Sequence, residues 1–134
     1  RNRRLEALRR AYAIAPGDPH VLAAVGHERR VGVYAEECVP YLEEAIRRDE
    51  GFLLPQIEHA LFLDGVGLPL AARAELEALA VRAPRAVALL RARIAVAEHG
   101  GQNAEAQRLR RALLRLRNND VENHESLARD AASG

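Results

Sequence analysis

Apolar residues recur every three or four positions along most of this chain, between short breaks rich in glycine, proline, aspartate and asparagine. In the first such segment Leu5, Leu8 and Ala11 would share one face of a helix. Hardly any alternation of period two with β-branched residues is visible, which disfavours strands. The pattern therefore predicts an all-α chain of amphipathic helices.

The breaks set the expected helix boundaries. Asp18 followed by Pro19 is typical of an N-cap with proline at the first helical position. The predicted helices span about residues 3–15, 19–31, 35–49, 53–64, 69–82, 86–98, 103–117 and 121–131. Pro40 lies inside the third of these, where we expect it to remove a hydrogen bond or to bend the first turns. Residues 118–120, Asn-Asn-Asp, are expected to cap the last helix.

The breaks also recur with a constant period. The marker positions, each 34 residues after the last, are Pro16, Glu50, Pro84 and Asn118. A period of this length is the signature of helix-turn-helix arrays, in which each unit buries its apolar face by stacking on its neighbour. Such arrays generally provide binding surfaces.

Laid out in units of 34 residues, the chain resembles the tetratricopeptide repeat family. That family places small residues at three positions of each helical hairpin and commonly closes the unit with a proline, as Pro84 does here. Its small positions are matched here by Gly26, Cys38, Ala45, Ala60, Ala72 and Ala106. Leu79, Ile94 and Leu113 replace small residues, and the family's large aromatic residues are mostly missing.

The resemblance implies a right-handed α-solenoid of antiparallel helical hairpins in a single domain. Its parts would be a leading half-repeat at 3–18, repeats at 19–52, 53–86 and 87–120, and a C-terminal capping helix at 121–132. Small residues let the helices approach closely and large ones interlock.

The resemblance also implies a ligand site, because proteins of this family usually bind a peptide or partner helix in a concave groove lined by the first helix of each unit. The transferred groove positions are His20, Ala23, His27 and Arg30, then Leu54, Ile57, Leu61 and Asp64, then Ala88, Arg91, Ala95 and Glu98. One family variant grips C-terminal carboxylates with lysine and asparagine. Since this chain has no lysine, that variant is disfavoured.

The apolar stripe of Leu54, Ile57 and Leu61 suits an incoming amphipathic helix or hydrophobic peptide. Two alternatives remain open. The stripe belongs to the core if its helix is rotated relative to the family, as the polar residues Gln56 and His59 hint. It is otherwise covered by the last helix or by a second copy of the chain.

Composition narrows the class of partner. The chain has 134 residues, 49% of them hydrophobic, and a net charge of +1, so it is expected to fold as one domain without a global field for nucleic acid. All twenty basic residues are arginine. Arg108, Arg111 and Arg115 share a helix face, but no aromatic residues interleave them, which favours a solvated face over a nucleic-acid patch.

Candidate chemistry is sparse. His20 and His27 lie seven residues apart without further ligands at metal-binding spacing, so no metal or cofactor is expected. Cys38 fills a small position, where core packing is expected, and no catalytic constellation stands out. A single cysteine fits a reducing compartment such as the cytoplasm. No apolar run is long enough to span a membrane.

The sequence thus predicts a non-catalytic protein–protein interaction scaffold. Because the chain starts on Arg1 without methionine, we also expect it to be part of a longer or processed protein. An alternative is therefore the accessory repeat region of a larger bacterial enzyme, such as a transferase or hydroxylase. Another alternative is a homo-oligomerisation module that forms, for example, a homodimer.

Overall fold

The structure is a computed structural model that describes the backbone of residues 2–133 and the side chains of residues 3–120. Within the described backbone the regular elements are seven α-helices and one 3₁₀ turn, with no strand. The all-α prediction is confirmed.

The helices pack on their neighbours in chain order. They are α1 (Asn2–Ile14), α2 (Pro19–Arg30), α3 (Cys38–Arg48), α4 (Leu53–Gly65), α5 (Pro69–Arg82), α6 (Val87–His99) and α7 (Asn103–Ser133). The most extensive packing joins α2 to α3, α4 to α5 and α6 to α7, so these pairs are hairpins. The hairpins meet through α3 on α4, α5 on α6, α2 on α4 and α4 on α6, and α1 packs on α2.

The start of α2 follows directly from its sequence. The Asp18 side chain accepts hydrogen bonds from the backbone amides of His20 at 2.8 Å and Val21 at 3.4 Å, and Pro19 is the first helical residue. Such a cap typically stabilises a helix by about 1 kcal/mol. The predicted cap at Asp18 is confirmed.

Pro40 is placed differently from the prediction. A 3₁₀ turn at Ala35–Glu37 comes first, and α3 begins at Cys38, so Pro40 is the third residue of α3. Amide groups in the first turn of an α-helix have no intrahelical acceptor, so proline is tolerated there. The expectation that Pro40 costs a hydrogen bond inside a longer helix is wrong.

The predicted break at residues 118–120 is also wrong, because α7 continues through it to Ser133. Asparagine and aspartate are only weakly unfavourable inside a helix, and this stretch contains no glycine or proline to stop it. The side chains of the predicted capping helix at 121–132 lie outside the described residues. No described helix, the 31-residue α7 included, is long and apolar enough to cross a membrane.

Two of the hairpin turns depend on glycine. Gly67 (φ 88°) and Gly101 (φ 70°) adopt the left-handed conformation that other residues avoid. At the first of these turns the Leu68 amide donates to the Leu63 carbonyl at 2.9 Å, which ends α4. The α2–α3 turn has Val33 at the equivalent position, and none of the described non-glycine residues has a positive φ. This turn therefore follows another path, through the 3₁₀ turn.

The core is built where small and large residues interlock. The predicted small positions are all buried: Gly26, Cys38, Ala45, Ala60, Ala72 and Ala106. Leu42, Leu76, Leu89 and Leu109 are fully buried beside them. Fully burying one leucine side chain is worth roughly 1.5–3 kcal/mol. Ile57, Leu76 and Leu89 belong to one cluster that joins α4, α5 and α6.

Gly26 marks the closest approach of α2 and α3. A Cβ atom at this position would lie 2.8 Å from Leu42 Cγ and closer still to Leu42 Cδ2. We expect Gly26→Ala to destabilise the fold by about 1–3 kcal/mol, because Leu42 is enclosed and would have to leave its rotamer. Chemical denaturation followed by circular dichroism measures the change.

Gly65 provides the matched control. A Cβ atom there meets no other atom within 4 Å, and Gly65 is the last residue of α4. Gly65→Ala should therefore be neutral or stabilise by up to about 1 kcal/mol. Equal stability of Gly26→Ala and the wild type would contradict the close packing of α2 on α3.

Candidate functional site

The transferred groove positions lie at four equivalent places on α2, α4 and α6, and burial separates them. The accessible ones are His20, Leu54 and Ala88, which are exposed, and His27, Leu61 and Ala95, which are partly buried. We call these six residues the first-helix face. The structure brings them to the same side of three helices that pack in the order α2, α4, α6.

Ala23 and Ile57 occupy a different environment. Ala23 is fully buried, and Ile57, 4% exposed, belongs to the apolar cluster with Leu89 and Ala92 of α6. The equivalent residue of α6, Arg91, is exposed. The stripe of Leu54, Ile57 and Leu61 is thus divided: Ile57 packs in the core, Leu61 packs against its edge, and Leu54 remains 40% exposed.

The polar residues Gln56 and His59 do not require a rotated helix. His59 Nδ1 lies 2.9 Å from Glu75 Oε2 on α5, and Gln56 Nε2 donates to the Glu50 carbonyl at 2.9 Å. Both side chains are partly buried and hydrogen-bonded. The prediction of a partly buried, hydrogen-bonded His59 is confirmed.

A buried carboxylate joins α2 to α4 beneath the first-helix face. Glu58 is only 4% exposed, and its two oxygens are engaged by two side chains of α2. His27 Nδ1 lies 2.8 Å from Oε1, and Arg30 Nε donates to Oε2. Buried charge is tolerated only when it is paired and hydrogen-bonded, and here both conditions hold. Among the described residues every buried side-chain nitrogen or oxygen has a partner.

A second ion pair joins α4 to α6. Asp64 Oδ2 lies 2.8 Å from His99 Nδ1, with the carboxylate nearly buried and the imidazole largely exposed. On the far side of α6, Glu98 pairs with Arg110 of α7. Arg30, Asp64 and Glu98, predicted as groove residues, therefore all act in contacts between helices.

His20 lies at the edge of the first-helix face. Its ring centroid is 4.3 Å from that of Phe52, the residue that precedes α4. The described residues contain no group of three metal-ligating side chains around it or elsewhere. His20 and His27 are each held by a residue of the next hairpin rather than by each other.

A cleft opens at the α1 end of this face. Its volume is about 490 Å³, and α1, α2 and α4 all contribute to it. The lining residues are Arg4, Leu8, Ala24, His27, Glu28, Leu54 and Glu58. Apolar side chains therefore stand beside a few fixed polar groups, the composition that is typical of ligand sites.

Sequence reasoning missed Glu58 and His99, which organise the ion pairs. The signal for Glu58 was present: it is equivalent by the 34-residue period to Ala24 and Ala92. A glutamate that replaces alanine on a helix between apolar neighbours indicates a buried charge with a partner. Arg30, equivalent to Asp64 and Glu98, was the matching departure on α2.

Cys38 is buried at the contact of α2 and α3, as predicted. Burial raises the pKa of its thiol above the ordinary value, an effect that the nearby Arg30 guanidinium partly opposes. Since only the thiolate reacts readily, both burial and protonation suppress its reactivity.

We expect Cys38 to resist a thiol-disulfide reagent such as DTNB in the folded protein at about pH 8 and to react once denatured. The absorbance of the released thiolate measures this. Rapid stoichiometric reaction under native conditions would contradict the buried position of Cys38. The denatured protein serves as the control, because its single thiol is then accessible.

Removing the charge of Glu58 should weaken the contact of α2 with α4. Glu58→Gln leaves Arg30 in a mostly buried site without a counter-charge, and we expect a loss of about 1–3 kcal/mol in the free energy of unfolding. The value is set below that of a fully buried pair because His27 and Arg30 remain partly exposed. Urea denaturation measures it.

Glu77→Gln is the matched control, since Glu77 pairs with Arg73 on the surface of α5 at 3.0 Å. An exposed pair of this kind contributes less than about 1 kcal/mol. If both variants lose the same small amount, Glu58 does not join the two helices in the way the geometry indicates.

Comparison with known proteins gives no match. No family model matches the chain, and no curated protein or solved structure matches it.

Proposed function

We propose that this protein is a non-catalytic protein–protein interaction scaffold that binds a peptide or partner helix on its first-helix face. The observation that carries the proposal is the accessible apolar surface of Leu54, with the small residues Ala88 and Ala95 beside it. Small and apolar side chains leave room for an incoming backbone and offer it area to bury.

The same proposal includes the architecture, a right-handed α-solenoid of tetratricopeptide type. Support comes from the helix starts, because α2, α4 and α6 begin at Pro19, Leu53 and Val87, each 34 residues after the last. The first helices pack on one another, whereas α3, α5 and α7 have no comparable mutual packing among the described residues. A row packed more tightly on one side curves toward that side, which would make the first-helix face concave.

The ion pairs beneath the face favour a ligand that brings apolar side chains rather than a strong charge. Glu58 and Asp64 already have partners on neighbouring helices, so their charges are balanced before a ligand arrives. Leu54 and Leu61 lie seven residues apart, two turns along α4. An amphipathic helix with apolar residues at the same spacing would match them.

Peptides selected from a random display library on the immobilised protein would test this proposal. Selected peptides should be rich in apolar residues at helical spacing, and calorimetry would give their affinity. Leu54→Asp should weaken binding by at least about 10-fold, which corresponds to about 1.4 kcal/mol, because a desolvated carboxylate would face the apolar ligand.

The matched control is Leu70→Asp, because Leu70 is 78% exposed on α5, outside the first-helix face. It should bind the selected peptides as the wild type does. Circular dichroism would confirm that both variants are folded. Selected peptides that bind Leu54→Asp as tightly as the wild type would contradict the proposed face.

A further inference from the structure

A second cleft lies away from the first-helix face, between α1 and the α2–α3 hairpin. With a volume of about 1040 Å³ it is larger than the cleft at the α1 end of that face. Leu5, Leu8 and Tyr12 of α1 form one wall, and Val31, Val33 and Tyr41 lie opposite. We call it the α1 cleft. Its apolar residues are accessible: Val33 is 89% exposed and Val31, Leu5 and Tyr12 are exposed as well.

Aromatic contacts hold the two walls together. The rings of Tyr12 and Tyr41 meet edge to face with centroids 5.9 Å apart. The Arg29 guanidinium lies 6.0 Å from the centre of the Tyr41 ring. The walls are therefore positioned before any ligand binds, which lowers the entropic cost of binding.

The charge around the α1 cleft is one-sided. Its lining includes three arginines, Arg4, Arg9 and Arg29, and one carboxylate, Glu28. Arg4 pairs with Glu28 across the cleft at 3.0 Å, and Arg29 pairs with Glu37 outside the lining at 2.6 Å. Within residues 3–120 no salt bridge engages Arg9.

The rest of α1 reinforces this charge. Its described side chains carry four arginines and a single glutamate, Glu6, whereas the whole chain has a net charge of only +1. Positive charge is therefore concentrated on one helix beside an apolar surface. Such an arrangement attracts anionic partners and orients them on approach.

The equivalent cleft in the next unit shows that this composition is not a general property of the fold. Between α3 and α5 the corresponding space is about 480 Å³. Polar groups line it, with His59 paired to Glu75 and Arg82 donating to the Glu50 carbonyl at 2.9 Å. The α1 cleft is about twice as large, and its two tyrosines and valines stand where the other has charged groups.

We propose that the α1 cleft binds an acidic amphipathic helical segment of a partner protein. Leu5 and Tyr12 are seven residues apart, so the apolar wall spans about two helical turns, or roughly 10 Å. A helix of that length with apolar residues at i, i+3 and i+7 would cover it. Carboxylates that flank those residues would meet Arg4 and Arg9. This inference does not rest on the proposed function of the first-helix face.

The probe is a fluorescein-labelled designed peptide of about four helical turns, with leucine at i, i+3 and i+7 and glutamate at the flanking positions. The comparison peptide carries lysine in place of every glutamate. Fluorescence anisotropy measures binding to the full chain. The acidic peptide should bind, more weakly as salt increases, and the lysine peptide should bind at least about 10-fold more weakly.

Two pairs of variants locate the site, all at exposed positions so that folding is preserved. Val33→Asp and Arg9→Glu alter the α1 cleft and should each weaken the acidic peptide by about 10-fold or more. Val81→Asp, at a valine of α5 that is 84% exposed, and Arg85→Glu, in the α5–α6 turn, are the matched controls. Both controls should bind within about 2-fold of the wild type.

Three results would overturn the proposal. The acidic peptide fails to bind the folded wild type at concentrations up to about 1 mM, a value at the weak end of specific association. The lysine peptide binds as tightly, or Val33→Asp and Arg9→Glu bind as the wild type does. Finally, sedimentation shows a wild-type dimer that Val33→Asp dissociates, which would assign the cleft to a second copy of the chain.

Discussion

The close approach of helices at small residues is the constraint on which the other features depend. At Gly26 there is no space for a side chain, because Leu42 of α3 lies directly against the α2 backbone. Ala72 and Ala106 are buried at equivalent positions of the next hairpins. Since each hairpin is fixed in this way, its first helix is held at a set distance from the first helix of the next one.

That distance lets polar groups join the first helices. Glu58 reaches both His27 and Arg30, and Asp64 reaches His99, so consecutive first helices are linked by charge as well as by apolar packing. The links engage the carboxylates and leave small and apolar side chains at the surface. Two different surfaces result, because the first-helix face has balanced charges whereas the α1 cleft combines tyrosines and valines with unbalanced arginines.

Much of the helical order was predictable, since its signals are local. The Asp18 cap, the glycine turns and the small positions each depend on a few neighbouring residues. The error at residues 118–120 arose because asparagine and aspartate indicate caps without enforcing them. The site was less predictable. Ile57 and Leu54 have similar patterns in sequence, and only the packing of α6 on α4 separates a core residue from a surface one. Glu58 was missed because its partners lie on another helix.

The most direct test of the central claim, that ligands bind on the first-helix face, is methyl NMR of the protein with a selected peptide. Leu54 and Leu61 should show intermolecular contacts to the peptide, while the enclosed methyl groups of Leu76 should show none. Such a result would place the ligand across α4 on the accessible side of the first helices. Contacts restricted to the outer helices α5 and α7, with Leu54 unaffected, would contradict it.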